Sequence, residues 1–588
     1  MTTTKLDSGP LAPLGIGLFR SLWIAQLVSN IGSWMQSVGA QWFLVESPNA
    51  TLLTALASAA GLLPVLILSL PAGVLADALD RRRLLIWSSA FMCLAAGLLT
   101  VLTWAGQAGP GVVLGLTFAL GCGSAIGGPA WQAIQPDLVP RDLLLTASAI
   151  SSANVNIARA AGPALAGVLV AWAGPELVFG INALSFLAVI SALWAWRTGR
   201  GSKPGAAVKT ATTEHHPAAS SYTVTSQNAD TIDGAAKTAD QSHRIRRLGM
   251  APATVTGLRY VRNAPGVRRI TLRAAVFVVP ASALWALLAV LTHGQLGLGP
   301  SGYGLMLAAL GVGAVGGALA LPYLRGRASN NAILAGGSLI YGVGMVAVGV
   351  ITNPAVVAGL LVVAGGGWVA CLSVLNTAML LSLPAWVRAR SMAVYTVVFI
   401  GGQGIGSLLW GAVGAVLGPR AALLAAAAIA LACLSTLPIW PLYRSTGTLD
   451  RGIAPMPEVM PEKIPAASAG PVQIQIEYQV APVDVAAFRR AARAVAASRR
   501  RTGANSWALW QDVMDERLFI EQYSLPDWAE HMAQREERMT GYDRELEGEL
   551  LALAAPNPAV RHLIRPSAMP RVDHGIAVAD LKTRETST

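Results

Sequence analysis

Long apolar tracts separated by short polar breaks fill the chain up to about residue 445. A membrane-spanning helix needs about 20 mainly apolar residues. Segments of that kind lie at 19–45, 52–76, 83–106, 110–136, 143–172, 174–197, 268–293, 301–324, 331–352, 354–383, 388–417 and 419–443. The pattern changes after residue 470. There "VQIQIEYQV" (472–480) alternates apolar and polar positions, as a half-buried strand does. Residues 484–500 have helical spacing, and "SWALWQDV" and "RLFIEQYS" flank a short "MDE" turn as a hairpin. Residues 526–553 read as helical and "VRHLIRP" (560–566) as a last strand, a β-α-β-β-α-β order that is ferredoxin-like. The pattern therefore predicts an all-α membrane protein of twelve transmembrane helices with a small C-terminal α+β ferredoxin-like domain.

The domains expected are a six-helix bundle (1–197), a cytoplasmic linker (198–266), a second six-helix bundle (267–443), a proline-rich linker (444–470), a cytoplasmic ferredoxin-like domain (471–566) and a disordered tail (567–588). Residues 198–243, rich in Ala, Thr, Ser and His, read as disordered. "GLRYVRNAPGVRR" (257–269) reads as a short basic amphipathic helix at the inner membrane surface.

Composition agrees. The chain is 54% hydrophobic and 13% charged, against about 25% charged in soluble domains. Its net charge of +12 sits in loops between apolar spans, so nucleic acid is not an expected partner. Loops after even-numbered spans carry Arg81–Arg83, Arg141, Arg197, Arg325, Arg327, Arg388, Arg390 and Arg444, whereas loops after odd-numbered spans carry Arg420. The positive-inside rule then places both termini and the central loop in the cytoplasm, in a multi-pass plasma-membrane protein. The N-terminus lacks a signal-peptide pattern, so the first span is expected to stay as an anchor. Cys93, Cys122, Cys371 and Cys433 lie in apolar runs and read as packing residues; no metal or cofactor is expected. His215 and His216 read as solvated linker residues.

An internal repeat divides the apolar part. "GVLADALDRRR" from Gly73 and "GALALPYLRGR" from Gly317 align at an offset of 244 residues. The same offset pairs Pro140 with Pro384, Gly162 with Gly406, Gly167 with Gly411, and the "GP" at 174–175 with that at 418–419. Two six-helix halves in parallel orientation follow, an arrangement that places a substrate site near the midplane between them.

Candidate site residues come from polar groups at apolar depth. Gln26, Asn30, Ser33, Ser37 and Gln41 form a stripe on one face of the first span, suited to lining a cavity or to bonding between helices. Arg159, mid-span, is the sharpest; its repeat mate is Gln403. A charge at that depth needs a partner, water or substrate. The expectation is that it binds an anionic group, with capping of carbonyls at the nearby glycine–proline pair as the structural alternative. No acid lies at mid-depth: Glu46, Asp77, Asp137 and Glu176 are all near the surfaces. Protons are a candidate coupling partner, with Asp77 and Glu46 as candidate carriers.

On the loop motif at 73–83, in which Asp80 replaces a glycine and the repeat has Leu321 in place of Asp77, the chain resembles the major facilitator superfamily. "FRSLWIAQLVSNIGSWMQ" (19–36), "GPAWQAIQPDLVPRDLL" (128–144) and "NIARAAGPALAGVLVAWAGPELVFGINALSFLAV" (156–189) resemble the branch of the enterobactin exporter and actinobacterial secretion transporters. The resemblance implies a gate in which Asp77 faces the start of the eleventh span, with Arg81, Arg82, Arg83, Arg388 and Arg390 around it. It also implies an antiporter-like kink at Gly162, Pro163 and Gly167, and proton-coupled export. The C-terminal region resembles the dimeric α/β barrel family of antibiotic-biosynthesis monooxygenases and haem-degrading oxygenases through "SLPDWAEHMAQRE" (524–536), with Trp528 and His531 on one helix face. Its first strand lacks the asparagine of the haem-degrading members, so a dimerising or regulatory module is expected, which leaves a homodimer open. The function expected is a secondary active exporter of a small organic molecule (siderophore, drug or secondary metabolite) with no catalytic residues. The alternatives are a membrane-anchored oxygenase and a non-transporting sensor.

Overall fold

The computed structural model describes residues 11–196, 250–442 and 470–564. They fall into two compact units. One holds most of the long helices; the other holds the C-terminal residues together with Thr256–Arg268 and Ser382–Ser391.

The first unit contains α1 (Gly17–Val45), α2 (Ala50–Ala78), α3 (Arg81–Trp104), α4 (Pro110–Leu138) and α5 (Leu144–Ala195). After α6 (Met250–Asn263) come α7 (Pro265–Gly294), α8 (Pro300–Arg325), α9 (Asn330–Val350), α10 (Pro354–Leu381), α11 (Arg388–Leu417) and α12 (Pro419–Ala432). Among the described residues, ten helices are long and apolar enough to cross a membrane. The fifth and sixth expected segments run as one element, α5, turned at Gly174 (φ 80°), where only glycine is unstrained. Gly418 (φ 89°), its repeat mate, makes the same turn between α11 and α12. The α1 helix falls short of the ten because its polar stripe lowers its hydropathy.

Arginine side chains bind the helix ends, and they do so twice. Arg81 donates to the Ala133 carbonyl of α4 (2.9 Å). Its mate Arg325 donates to Thr377 of α10 (2.9 Å), the residue 244 positions after Ala133. Arg82 donates to the Leu193 and Trp194 carbonyls at the end of α5 (2.7 and 3.2 Å). Arg273 of α7 does the same beyond α12, donating to the Thr436 and Trp440 carbonyls (2.5 and 2.6 Å). The last carbonyls of a helix lack intrahelical donors, and a cation there also meets the negative end of the dipole. Asp80 accepts from the Arg83 amide (2.9 Å) and caps the start of α3.

The second unit carries a four-stranded sheet, β1 (Val472–Gln479), β2 (Ser506–Gln511), β3 (Leu518–Leu525) and β4 (Ala559–Ile564), in the order β2-β3-β1-β4. The three pairings are antiparallel, with Ile476 opposite Glu521 and Val472 opposite Ile564. The alternation in β1 puts Val472, Ile474, Ile476 and Tyr478 on one face, against Phe488 and Val495 of α13 (Val485–Thr502). The region 526–553 is two helices, α14 (Trp528–Ala533), extended by a π turn to Arg538, and α15 (Gly541–Leu551). A capping box of Thr540 and Asp543 begins the second.

The helix expected at 257–269 has different bounds. It ends at Asn263, Pro265 starts α7, and its Arg259 donates to the Gly503 carbonyl (2.8 Å) and to Asn505 (3.0 Å). A polar face that finds these acceptors is held by protein. The expected linkers 198–243 and 444–470 and the tail 567–588 lie essentially outside the described residues.

Replacing the Asp80 cap with Ala is expected to destabilise the first unit by about 1 kcal/mol, and Ser to restore most of it. Melting curves of purified protein measure this; a D80A curve superimposed on wild type contradicts the cap.

Candidate functional site

The two halves of the first unit touch near one end, where α1 passes into α2. Tyr303 of α8 donates to Gln41 of α1 (2.7 Å), and Trp42 packs against Tyr303 and His293 (ring centroids 6.3 and 5.6 Å). Thr54 of α2 donates to the Ala286 carbonyl of α7 (3.3 Å). Small residues allow the approach. A Cβ at Gly304 would stand 2.5 Å from the Pro163 oxygen, and one at Gly411 would stand 2.2 Å from Ala55 Cβ. Gly162 likewise admits Trp34, whose Cβ would be 2.5 Å away.

Just below these contacts lies Arg159, near the middle of the first leg of α5. Its guanidinium stands 5.7 Å from the centroid of the Trp34 ring, a cation–π distance. Among the described residues it has no ion pair, and its buried Nε has no hydrogen-bond partner. Trp34 begins an aromatic chain across the halves: Trp34–Trp285 (6.1 Å), Trp285–Trp368 (5.9 Å), and from Trp368 to Phe277, Tyr341 and Phe399 (5.5, 5.4 and 6.1 Å). Tyr395 stacks on Phe399 (6.2 Å). The Tyr395 hydroxyl is also buried without a hydrogen-bond partner among the described residues. A cation and a phenol left unpaired among those residues, amid aromatic faces, suit a ligand that is flat and carries anionic or accepting oxygens.

Two residues of the polar stripe of α1, Asn30 and Gln41, bond to other helices. Gln26 donates to Asn30 (3.1 Å), Asn30 to Asn154 of α5 (2.9 Å), and Asn154 to the Trp23 carbonyl (2.9 Å). Gln41 accepts from Tyr303, while its amide lies 3.5 Å from Ser37. Ser33 is exposed and Gln403 is half-buried on α11. Gln36, off the stripe, accepts from buried Asn182 (3.3 Å). At the kink expected at Gly162, Pro163 and Gly167, α5 keeps helical φ/ψ through Pro163, and its non-helical residue is Gly174. These residues serve close packing, since their small surfaces face Trp34 and α8. Of the expected gate, Arg81 and Arg82 hold carbonyls within their own half, and Arg83 contributes its amide to the Asp80 cap. Arg388 donates to the nearby Leu383 carbonyl (3.4 Å), and the Arg390 backbone faces Gly257. The Asp77 side chain lies outside the described residues.

The aromatic chain was not anticipated, although 17 tryptophans in so apolar a sequence were a signal. Also unanticipated is a buried charge network in the second unit. Arg499 of α13 pairs with Glu521 (3.2 Å) and with Glu547. Tyr478 and Trp507 donate to Glu521 (2.8 and 2.9 Å). The signal was Glu521 between Phe519 and Tyr523 on the buried face of β3. Nearby, His531 lies against Trp528 and His562 (centroids 5.2 and 4.9 Å). Burial, with help from His562, pulls the His531 pKa down to about 3, and burial lowers that of His562.

The sequence model of the transmembrane secretion effector family matches residues 8–233 and 234–570. The staphyloferrin A transporter of Staphylococcus aureus is 34% identical over 167 residues, 28% of this chain and 42% of that protein. Macrolide efflux protein A of Streptococcus pyogenes is 27% identical over 177 residues, 30% of this chain and 42% of that protein. The chain thus spans about two fifths of the length of these curated relatives. A POT family transporter in complex with a thioalcohol-conjugated peptide superposes with a TM-score of 0.54 at 13% identity, covering 72% of this chain and 95% of the other. A bacterial homolog of the human lysosomal transporter Spinster, inward-facing and occupied, gives 0.53 at 14% identity, covering 73% and 97%. These likenesses are of fold.

The histidines make the second unit acid-sensitive. His531 is about 3 when folded against 6.5 when free, so below about pH 6.5 the unfolded chain binds a proton that the folded one refuses. Its contribution is intact above about pH 6.5 and declines toward pH 3, at up to ~1.4 kcal/mol per pH unit. Glu547, pushed up by burial and by Glu521 against the pull of Arg499, titrates in the opposite sense. The effect is therefore read by comparing wild type with His531→Leu. Urea unfolding of 472–525, followed by hydrogen exchange at pH 7 and pH 5, should show a larger drop in wild type; equal drops contradict the assignment.

Proposed function

The chain belongs to the transmembrane secretion effector family, and on that premise we propose that it exports a small organic molecule, with Arg159 binding an anionic group of the cargo. The observation that carries this reading is the unpaired guanidinium of Arg159 beneath the contact between the two halves. The aromatic chain from Trp34 to Trp368 supplies the apolar bed for a flat ligand.

The rest of the reading is an alternating-access cycle. The ten apolar helices, α1 and the turn at Gly174 together make twelve crossings, with both termini cytoplasmic by the arginine distribution. In that orientation the contacts at Gln41–Tyr303 and Thr54–Ala286 lie at the outer end, so the cargo site is closed to the outside. Export then requires these contacts to part while a lock forms at the cytoplasmic end. Asp77 is the acid proposed for that lock on the resemblance of the loop motif at 73–83, because helix N-termini favour anions. A proton gradient is the driving force proposed. The relatives named as a staphyloferrin A transporter and a macrolide efflux protein support cargo of siderophore or drug size. The strand order β2-β3-β1-β4 supports a ferredoxin-like reading of the region 471–566, resembling the monooxygenase-like dimeric barrels in a regulatory or dimerising role.

Counterflow or efflux of candidate anionic metabolites in reconstituted vesicles, with and without a proton gradient, tests the proposal. Arg159→Ala is expected to lower export of anionic cargo at least tenfold, equivalent to ~1.4 kcal/mol, while the protein still assembles and melts normally. Wild-type rates in R159A would refute the cargo assignment.

A further inference from the structure

The second unit holds a cavity that transport does not use. A small cleft, partly continuous with solvent, lies between the sheet and the helices. Ile474, Ile476 and His562 line its sheet side, His531 the helical side, and Arg499 and Glu547 the end. Two polar atoms in this lining have no hydrogen-bond partner among the described residues: His531 Nδ1 and Glu547 Oε2. Their residues are 6% and 1% exposed, so bulk water does not serve them. Arg499, by contrast, is engaged by Glu521 and Glu547. The unmet demand is therefore for a hydrogen-bond donor beside a neutral imidazole and a carboxylate oxygen, against apolar walls and ring faces. A small uncharged aromatic with a hydroxyl meets it; an anion would face Glu547 and Glu521, with Arg499 already paired and Arg535, also in the lining, already engaged.

The same helical stretch, 528–538, also faces away from the cavity. Arg538 pairs with Glu530 (2.6 and 2.9 Å) and donates to the Thr502 carbonyl (3.1 Å). Its guanidinium stands 5.2 Å from the Trp386 ring, which packs edge-on against Tyr260 (5.8 Å). Arg259 holds Gly503 and Asn505, at the end of α13. Trp386 leads into α11, and Arg259 and Tyr260 sit on α6, which leads into α7. His531 and Gln534 thus line the cavity from an element whose Glu530 and Arg538 grip the segments before two long helices.

We propose that this cavity is a regulatory ligand site for a small uncharged hydroxyl-bearing aromatic molecule, and that its occupancy is passed through residues 528–538 to the segments leading into α7 and α11. The site does not depend on the transport reading, and its test requires no transport.

Full-length protein in lipid nanodiscs is titrated with phenol, followed by saturation-transfer NMR, with empty nanodiscs to subtract partition into lipid. Anisole, of similar shape but without a donor, is the matched probe. Phenol should bind saturably and anisole about tenfold more weakly, the scale of one unmet buried hydrogen bond. His531→Leu and Glu547→Gln should each weaken phenol by about tenfold, with hydrogen exchange of β1 and β3 confirming that the domain is folded. If one variant unfolds, the other carries the comparison. Phenol should also slow hydrogen exchange in 256–263 and 382–391 of wild type but not of the variants. Absent phenol binding, equal binding of phenol and anisole, or binding untouched by a folded variant overturns the site. Binding that leaves exchange in those two segments unchanged overturns the relay.

Discussion

One constraint organises the first unit: an arginine charge placed inside an apolar bundle with no ion pair among the described residues. A charged side chain at the centre of a bilayer costs about 2.5–3.5 kcal/mol on insertion scales, and it is tolerated when it faces the bundle interior or a cavity. Arg159 faces one aromatic ring, Trp34. Four other arginines of the unit behave differently. Arg81, Arg82, Arg273 and Arg325 each find acceptors at or near helix ends. Structural arginines in this fold thus have partners, and the contrast marks Arg159 as a residue held ready for something else.

Closure above Arg159 depends on residues without bulk. Gly162, Gly167, Gly304 and Gly411 leave no room for a side chain, so backbones of different helices come into van der Waals contact. The polar bonds across the same end are few and lie beside aromatic packing, as with Gln41, Tyr303 and Trp42. Such an interface is well packed yet cheap to part, because few buried polar groups lose their partners when it opens. The second unit is built the other way. Its Arg499–Glu521–Glu547 network is buried and interlocked, so its interior is expensive to disturb and suits a fixed frame around a cavity.

Most of the fold was legible because it follows from periodicity. Apolar runs gave the helices to within a few residues, and the 244-residue offset aligned Arg81 with Arg325, which make equivalent bonds in the structure. Alternation in "VQIQIEYQV" gave β1 and its buried face. The site was only half legible. Arg159 stood out as a charge in an apolar run, but the aromatic partners lie on α1, α7, α9, α10 and α11, and no local pattern joins them. The stripe on α1 was visible, yet its partners were not: Asn154 and Tyr303 are distant in sequence, and they turn Asn30 and Gln41 toward other helices. Proline removes one backbone donor, but packing against Trp34 and α8 keeps α5 helical at Pro163, and the chain turns at Gly174, which can adopt positive φ.

If Arg159 is kept for a ligand rather than for the fold, removing its charge should relieve the empty protein. The decisive measurement is the melting temperature of Arg159→Leu against wild type, in detergent and without cargo. The account predicts a higher melting temperature for the variant, since a well-packed apolar side chain replaces an unpaired buried charge. A lower one would show that Arg159 supports the fold, and would contradict its assignment to the cargo site.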